Sequence, residues 1–341
     1  MPFNVALIGS GIFAKEEHLP AIKAASSTLA LRAIYSRSLA SAKSLAAEAG
    51  EVDLYSDDSE GGKGYDALLA RDDIDGVVIA LPILVQPEYI KKALSAGKHV
   101  LAEKPIAKDV ATATELLDWI KSNINGPTFG IAENLRFFAS YDYAAEQLSQ
   151  LGRLLGFRMR VQNLVQPGGK YYETAWRKKP EYQGGFLLDG GVHFIAATRL
   201  VLEGAKAKPV KLSAFSAQLQ EHLPPVDTVN ATVLLNDGTS GTISMSFGTT
   251  FSGSEYAFAA EKGTVTVTRG KVTVVRDGKE EVREFDDGSG VKQEIAAWGE
   301  ALSAGKPHPK QSGEEALRDL KVLEAILRSG EQGGAPVELD L

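Results

Sequence analysis

The feature that most constrains this sequence is a turn with two glycines near its start, between a predicted buried strand and a predicted helix. The apolar run 4–8 leads directly into Gly9-Ser10-Gly11-Ile12-Phe13-Ala14, and a helical segment covers about 14–26. In this context the first glycine permits a tight turn and the second lets the backbone approach a pyrophosphate, while the small Ala14 lets the helix pack close to the strand. Amides at the helix start also favour phosphate. The pattern predicts a dinucleotide-binding turn; the alternative is a glycine turn that binds nothing.

Strands and helices alternate through the first 136 residues. After the first strand and helix, the sequence predicts strands at 29–35, 53–55, 74–81 and 128–132 with another starting at Lys98, and helices at 39–49, 65–71, 86–96 and 110–122. Such alternation indicates right-handed crossovers and a doubly wound parallel sheet. We therefore predict an α/β protein in which residues 1–136 form a Rossmann domain.

The second part of the chain has a different pattern. A helix at 140–150 and a strand at 155–166 precede a stretch, 210–285, that is nearly all strand, with hairpin turn signals at 236–239 and 276–279. Apolar and polar residues alternate along 227–236, as in a half-buried antiparallel strand. Helices at 291–304 and 314–328 follow. We predict that residues 137–341 form an α+β domain with a large, mostly antiparallel sheet.

Bulk composition excludes several classes of protein. The formal net charge is −7 and no Lys/Arg cluster stands out, which argues against a nucleic-acid partner. We find no apolar stretch long enough to cross a bilayer and no basic segment before the apolar N-terminal run, so no membrane or signal-peptide role is expected. The absence of cysteine rules out disulfides, thiol nucleophiles and Cys-ligated zinc, and fits a cytoplasmic protein.

The residues after the second strand bear on the choice of cofactor. An NAD-specific site usually has Asp or Glu here, which binds the ribose 2′-hydroxyl. This chain has Ser36-Arg37-Ser38 instead. The planar guanidinium of arginine binds phosphate oxygens in pairs. Ser36 and Arg37 therefore predict NADP in preference to NAD; an exposed arginine without a ligand is the alternative.

Two further motifs contain residues suited to catalysis. The strand from Lys98 ends in Glu103-Lys104-Pro105, where the proline must stop it, and ligands collect at the carboxyl ends of parallel strands. We expect Lys104 to contact a ligand, unless it forms only a surface ion pair with Glu103. In the second motif, 184–193, Asp189 is predicted to cap a helix and to share one helical face with His193.

The structural alternatives for the second motif are a simple cap and a core histidine. Glycines on both sides of Asp189, however, predict the close approach of another backbone or of a ligand. Imidazole titrates near neutral pH and suits general acid–base chemistry. No further Asp, Glu or His motif joins Asp189 and His193, so we predict no metal site.

Three motifs together resemble those of the glucose–fructose oxidoreductase / inositol dehydrogenase / rhizopine catabolism (Gfo/Idh/MocA) family. They are residues 9–14, residues 96–105, and Trp176-Arg177 followed by residues 184–193, and the likeness holds in order and over essentially the whole chain. The resemblance implies a cleft between a Rossmann domain and an open-faced sheet domain. It implies Lys104, Asp189 and His193 as the catalytic set, and a cis peptide bond before Pro105.

The motifs and the resemblance together predict a set of residues that contact the cofactor. They also predict that Arg136 lies near the nicotinamide or the substrate. The predicted cofactor-binding residues are Gly9, Ser10, Gly11, Ile12, Phe13, Ser36, Arg37, Leu81, Pro82, Gln86, Glu103, Lys104, Asn134, Trp176 and Arg177. One segment departs from the family. Many relatives have Thr-Pro-Asn-x-x-His where residues 81–86 read Leu-Pro-Ile-Leu-Val-Gln, which puts the usual contacts there in doubt and is consistent with a substrate less polar than a free sugar.

The predicted function is that of an NADP(H)-dependent oxidoreductase acting on a small hydroxyl or carbonyl compound, such as a sugar, polyol or diol, with an imine also open. The alternative is a non-catalytic NADP-sensing regulator of the same fold, which has no need of Lys104, Asp189 and His193. Because an exposed sheet face favours association, we expect a homodimer or larger homo-oligomer, which a mass measurement in solution tests. Substrate identity, direction of transfer and the choice of Lys104 or His193 as proton donor stay open.

Overall fold

The structure, a computed structural model, describes residues 1–341 as two compact units. The first consists of 1–134 and 289–317, and the second of 135–288 and 318–341. The segment 289–317 thus belongs with the first unit, whereas the predicted boundary at 136 places it in the second domain. The reason is that helix Val291–Ser303 buries Val291, Ile295 and Trp298 in the core of the first unit. Periodicity shows that a helix has an apolar face but not what covers that face.

The first unit contains a six-stranded parallel sheet with helices between its strands. In chain order the strands are β1 Phe3–Ile8, β2 Leu29–Ser36, β3 Asp53–Ser56, β4 Gly76–Ile79, β5 His99–Glu103 and β6 Phe129–Ala132. Its helices are α1 Leu19–Ala24, α2 Leu39–Ala49, α3 Tyr65–Leu69, α4 Gln86–Ser95 and α5 Val110–Asn123. The spatial order β3-β2-β1-β4-β5-β6 is that of the Rossmann fold, so the predicted doubly wound parallel sheet is confirmed.

The second unit contains a nine-stranded, mostly antiparallel sheet. Its strands are β7 Leu154–Gln162, β8 Pro209–Ala217, β9 Thr228–Leu235, β10 Ser240–Ser246, β11 Gly253–Ala260, β12 Gly263–Thr268, β13 Lys271–Arg276, β14 Lys279–Glu284 and β15 Val337–Glu338. Only β7 and β10 pair in parallel. Buried and exposed residues alternate along β9, so one face of that strand is open. The predicted α+β architecture is confirmed.

The helices of the second unit are α6 Ala139–Ser149, α7 Ala175–Lys178 and α8 Gly185–Gly204. Helix α9, Val291–Ser303, belongs to the first unit, and α10 Gly313–Glu331 contains residues of both units.

By length and composition α8 is apolar enough to span a bilayer, which corrects the expectation that no such stretch exists. Most of α8 is buried within the protein, where it packs against α6. A core helix has the same composition as a membrane span, because both are surrounded by apolar groups.

Candidate functional site

The structure gives different reasons for the presence of glycine at the two glycine positions of the first turn. Gly9 has a φ of 108°, and a Cβ added there would lie 2.3 Å from the carbonyl oxygen of Ala80, so the turn excludes any larger residue. Its amide donates to the carbonyl of Tyr35 at 2.8 Å. A Cβ added at Gly11 would meet nothing within 4 Å. Gly9 is therefore required by packing, while the open space at Gly11 fits the predicted approach of a dinucleotide.

The helix after this turn begins with an unpredicted π-helical segment, Ala14–His18, which continues into α1. Such segments occur frequently at functional sites. His18 at its end is fully buried, and its Nε2 lies 2.7 Å from Oε1 of Glu103. His18 therefore connects the glycine turn to the Glu103-Lys104-Pro105 motif. A role for His18 was not predicted, although its position beside the apolar Leu19 and Ile22 was a signal of burial.

The residues predicted to select the cofactor lie as expected at the end of β2. The hydroxyl of Ser10 donates to the hydroxyl of Ser36 at 2.7 Å, which joins the glycine turn to the strand end. Arg37 is exposed and makes no hydrogen bond or ion pair within the chain. Its guanidinium is thus available to an anionic ligand. Ser38 caps α2 by accepting from the amide of Ser41.

The Glu103-Lys104-Pro105 motif begins with the last residue of β5, Glu103, and the Lys104–Pro105 bond is cis, which confirms that prediction. Two hydrogen bonds fix the residue before Lys104. Besides the contact of its carboxylate with His18, Glu103 accepts at its carbonyl from Nε2 of the buried Gln86, at 3.1 Å. Gln86, at the end of the segment that departs from the family pattern, therefore positions the motif that carries Lys104.

A buried acid lies near this motif and was not predicted. Glu294 of α9 is 1% exposed, and neither of its carboxyl oxygens has a hydrogen-bond partner within the chain. Burial raises the pKa of Glu294 well above its usual range; the nearby Glu103 and Glu133 raise that pKa further and Lys104 opposes them. Glu294 directly precedes the core residue Ile295, and that position beside an apolar helical face was the available signal.

In the second unit, Arg177 and Asp189 form a largely buried ion pair. Nε of Arg177 donates to Oδ2 of Asp189 at 2.7 Å, and the guanidinium carbon lies 3.9 Å from the ring centroid of Trp176. Asp189 lies inside α8, one turn before the half-buried His193. The prediction that Asp189 caps a helix is therefore wrong, because α8 begins at Gly185 and the carboxylate pairs with a side chain instead. The shared helical face of Asp189 and His193 is confirmed.

The glycine after Asp189 is explained by a neighbouring side chain. For Gly185 before it, the predicted close approach of another backbone is confirmed, since a Cβ added there would lie 2.4 Å from the carbonyl oxygen of Pro224. A Cβ added at Gly190 would lie 2.8 Å from the ring of Phe247. That ring also contacts Phe186 and Phe194, with centroid distances of 5.3 and 6.3 Å. Aromatic packing therefore fixes the helical turn that carries Asp189.

Other predicted residues have partners in their own unit. The side-chain amide of Asn134 donates to the carbonyl of Ser289 at 2.6 Å. Arg136 is 2% exposed and pairs with Asp319, which also binds Arg199. A buried ion cluster thus explains Arg136 without a ligand. Ile12, Phe13, Leu81 and Pro82 are partly exposed, which leaves the predicted cofactor contacts sterically open.

Comparison with known proteins identifies both parts of the chain. Residues 3–125 match the model of an oxidoreductase family with an NAD-binding Rossmann fold, and residues 146–339 match the C-terminal alpha/beta domain of the same oxidoreductase family. The fold and these matches define the class as oxidoreductases with an NAD(P)-binding Rossmann domain. Within that class, the chain belongs to the Gfo/Idh/MocA family.

Three relatives illustrate the match. Dehydrogenase FPY6 of Fusarium mangiferae is 44% identical over 341 residues, which cover 97% of each chain. The crystal structure of an oxidoreductase from Thermotoga maritima is similar with a TM-score of 0.89 and 29% identity, covering 99% of this chain and 98% of that chain. The crystal structure of the 3-ketoreductase KijD10 from Actinomadura kijaniata, in complex with NADP and TDP-benzene, is similar with a TM-score of 0.79 and 26% identity. The similarity covers 97% of this chain and 98% of that chain.

Proposed function

We propose that this protein is an NADP(H)-dependent oxidoreductase that transfers a hydride between nicotinamide and a small hydroxyl or carbonyl substrate, such as a sugar, polyol or diol, with imines included. The observation that carries the proposal is the position of Lys104. It directly follows the carboxyl end of β5, in the same unit as the glycine turn, and its neighbour Glu103 is held by His18 and Gln86. A ligand in an open parallel sheet binds at this edge.

The residues have distinct roles in the proposed reaction. The bound nicotinamide supplies or accepts the hydride. The ammonium group of Lys104 donates a hydrogen bond to the reacting oxygen and stabilises the negative charge that develops there. His193 exchanges a proton with the substrate as general acid or base. Asp189, held by Arg177, orients the substrate or the imidazole.

The preference for NADP is supported by the exposed Arg37 and the missing acid after β2, and by the NADP in the related KijD10 structure. Replacement of Arg37 by alanine is expected to raise the KM for NADPH by about tenfold or more, because a charge-assisted contact to phosphate is lost. The KM for NADH, which lacks that phosphate, should change less than about twofold.

Initial-rate measurements with both cofactors test this prediction. Arg32→Ala is the matched control, since Arg32 is an exposed arginine on β2, the strand that precedes Arg37, and its Nε donates to the side chain of Asn4. Equal losses with NADPH and NADH in Arg37→Ala would contradict a 2′-phosphate contact.

The activity itself is tested by NADPH consumption, and by NADP+ reduction, with a panel of sugars, inositols, diketones and imines. We expect turnover of at least one class, with NADPH preferred to NADH. Tight NADPH binding without turnover of any compound would instead favour the non-catalytic NADP-sensing regulator.

A further inference from the structure

The loop that carries Arg37 is held on both sides, although Arg37 itself makes no hydrogen bond or ion pair within the chain. On one side, the hydroxyl of Ser10 donates to the hydroxyl of Ser36 at 2.7 Å. On the other side, the backbone amide of Leu39, the first residue of α2, donates to Oδ1 of Asp58 at 2.7 Å. The position of the Arg37 guanidinium therefore depends on contacts that its neighbours make.

Asp58 comes from the end of β3, the strand beside β2. Ser56, the last residue of β3, pairs with Ser36 in the parallel register, so the two strands end side by side. The hydroxyl of the buried Ser56 donates to Oδ1 of Asp58 at 2.7 Å, the same oxygen that binds the amide of Leu39. One carboxylate oxygen thus joins the end of β3 to the start of α2.

The Asp58 carboxylate is well suited to this contact. The hydroxyl of Ser56 and the amide of Leu39 both lower the pKa of Asp58, so its side chain is charged at neutral pH. The first amides of a helix have no partner within the helix, and the positive end of the helix dipole favours an acid beside them. Hydrogen bonds to a charged acceptor are also roughly twice as strong as those between neutral groups.

A carboxylate in this place has a second effect, of opposite sign, on cofactor binding. Its negative charge repels a phosphate bound at the loop. Asp58 is exposed, so water and salt screen this repulsion, whereas its hydrogen bond to the amide of Leu39 is short and direct. We therefore expect the stabilisation of the loop to exceed the repulsion of the phosphate.

We propose that Asp58 is a positioning residue for cofactor selection, which holds the start of α2 so that Arg37 binds the 2′-phosphate of NADP(H). This inference rests on the proposed function. The acid that is missing after β2 is thus replaced by one after β3, which acts through Arg37 and not by contact with the ribose.

Fluorescence titrations with NADPH and NADH, without substrate, test the inference. Asp58→Ala is expected to raise the Kd for NADPH about three- to tenfold, the effect of one lost hydrogen bond, and the Kd for NADH less than about twofold. Asp58→Asn should bind NADPH within about twofold of the wild type or more tightly, because its amide oxygen still accepts from Leu39 and its charge is gone. In the Arg37→Ala background, Asp58→Ala should change the Kd for NADPH less than about twofold, since no guanidinium is left to position.

Asp53→Ala is the matched control, because Asp53 is an exposed acid on β3 that pairs with Arg71, and its loss changes the net charge equally. Tighter NADPH binding by Asp58→Ala, equal losses with NADPH and NADH, or an equal loss in the Arg37→Ala background would overturn the inference alone. An Asn variant as weak as the Ala variant would do the same. A wild type that binds NADPH no better than NADH would overturn the proposed NADP preference as well. A wild type inactive on every panel substrate would overturn the proposed activity and not this inference, because the titrations need no turnover.

Discussion

Replacement of Glu294 by glutamine is expected to remove a penalty on stability that grows with pH. The carboxyl of Glu294 is buried, and burial raises its pKa well above the usual value of 4.5, with Glu103 and Glu133 adding to the effect. The folded protein therefore keeps a proton on Glu294 under conditions in which the unfolded chain has released it.

The sign follows from proton linkage. Well below pH 4.5 the carboxyl is protonated in both the folded and the unfolded state, so its ionisation does not change the free energy of unfolding. As the pH rises from 4.5 towards the folded-state pKa, the free energy of unfolding of the wild type falls by about 1.4 kcal/mol per pH unit relative to a variant without this group. Glutamine has nearly the same shape and does not titrate.

Urea unfolding of wild type and Glu294→Gln at several pH values between 5 and 8 measures this difference. Any packing cost of the buried amide is the same at each pH, so the slope of the difference with pH is diagnostic. Glu300→Gln, an exposed position on the same helix, should give no slope. A difference that does not change with pH would show that Glu294 is not protonated in the folded state.

Replacement of Lys104 by methionine is expected to lower kcat by about 10²–10³-fold, as for the loss of one donor to a developing negative charge. Methionine approximates the length of the lysine side chain and removes only its charge and its donor atoms. Lys104 is one of many predicted cofactor contacts, and the glycine turn and Arg37 are untouched, so the dissociation constant for NADPH should change less than about threefold.

Single-turnover kinetics and a direct NADPH titration separate these two effects. Lys108→Met is the matched control, because Lys108 is an exposed lysine four residues further along the same segment. Retention of more than about a third of the wild-type rate in Lys104→Met would remove Lys104 from the catalytic set.

Local patterns in the sequence were sufficient to predict most elements of the fold. Helix α2 coincides with the predicted 39–49, and α9 differs from the predicted 291–304 by one residue. Period and turn chemistry are properties of neighbouring residues, so a single sequence reveals them. The glycine turn and the residues after β2 and β5 were found because short motifs place them at strand ends.

Contacts between distant residues were not predictable in the same way. The pairing of His18 with Glu103 joins positions 85 apart, and nothing near either residue indicates the other. The start of α8 was missed because Gly184 and Gly185 have positive φ values, and local patterns associate such glycines with a turn rather than with the first residues of a helix.

The return of α9 to the first unit has a consequence for folding during synthesis. One side of the core around Val5 and Leu7 is completed by Val291, Ile295 and Trp298. The ribosome makes the whole of 135–288 before it makes these residues. Until they are made, the nascent Rossmann sheet exposes apolar surface that these residues cover in the folded protein. A fragment that ends near residue 136 is therefore expected to aggregate instead of folding alone.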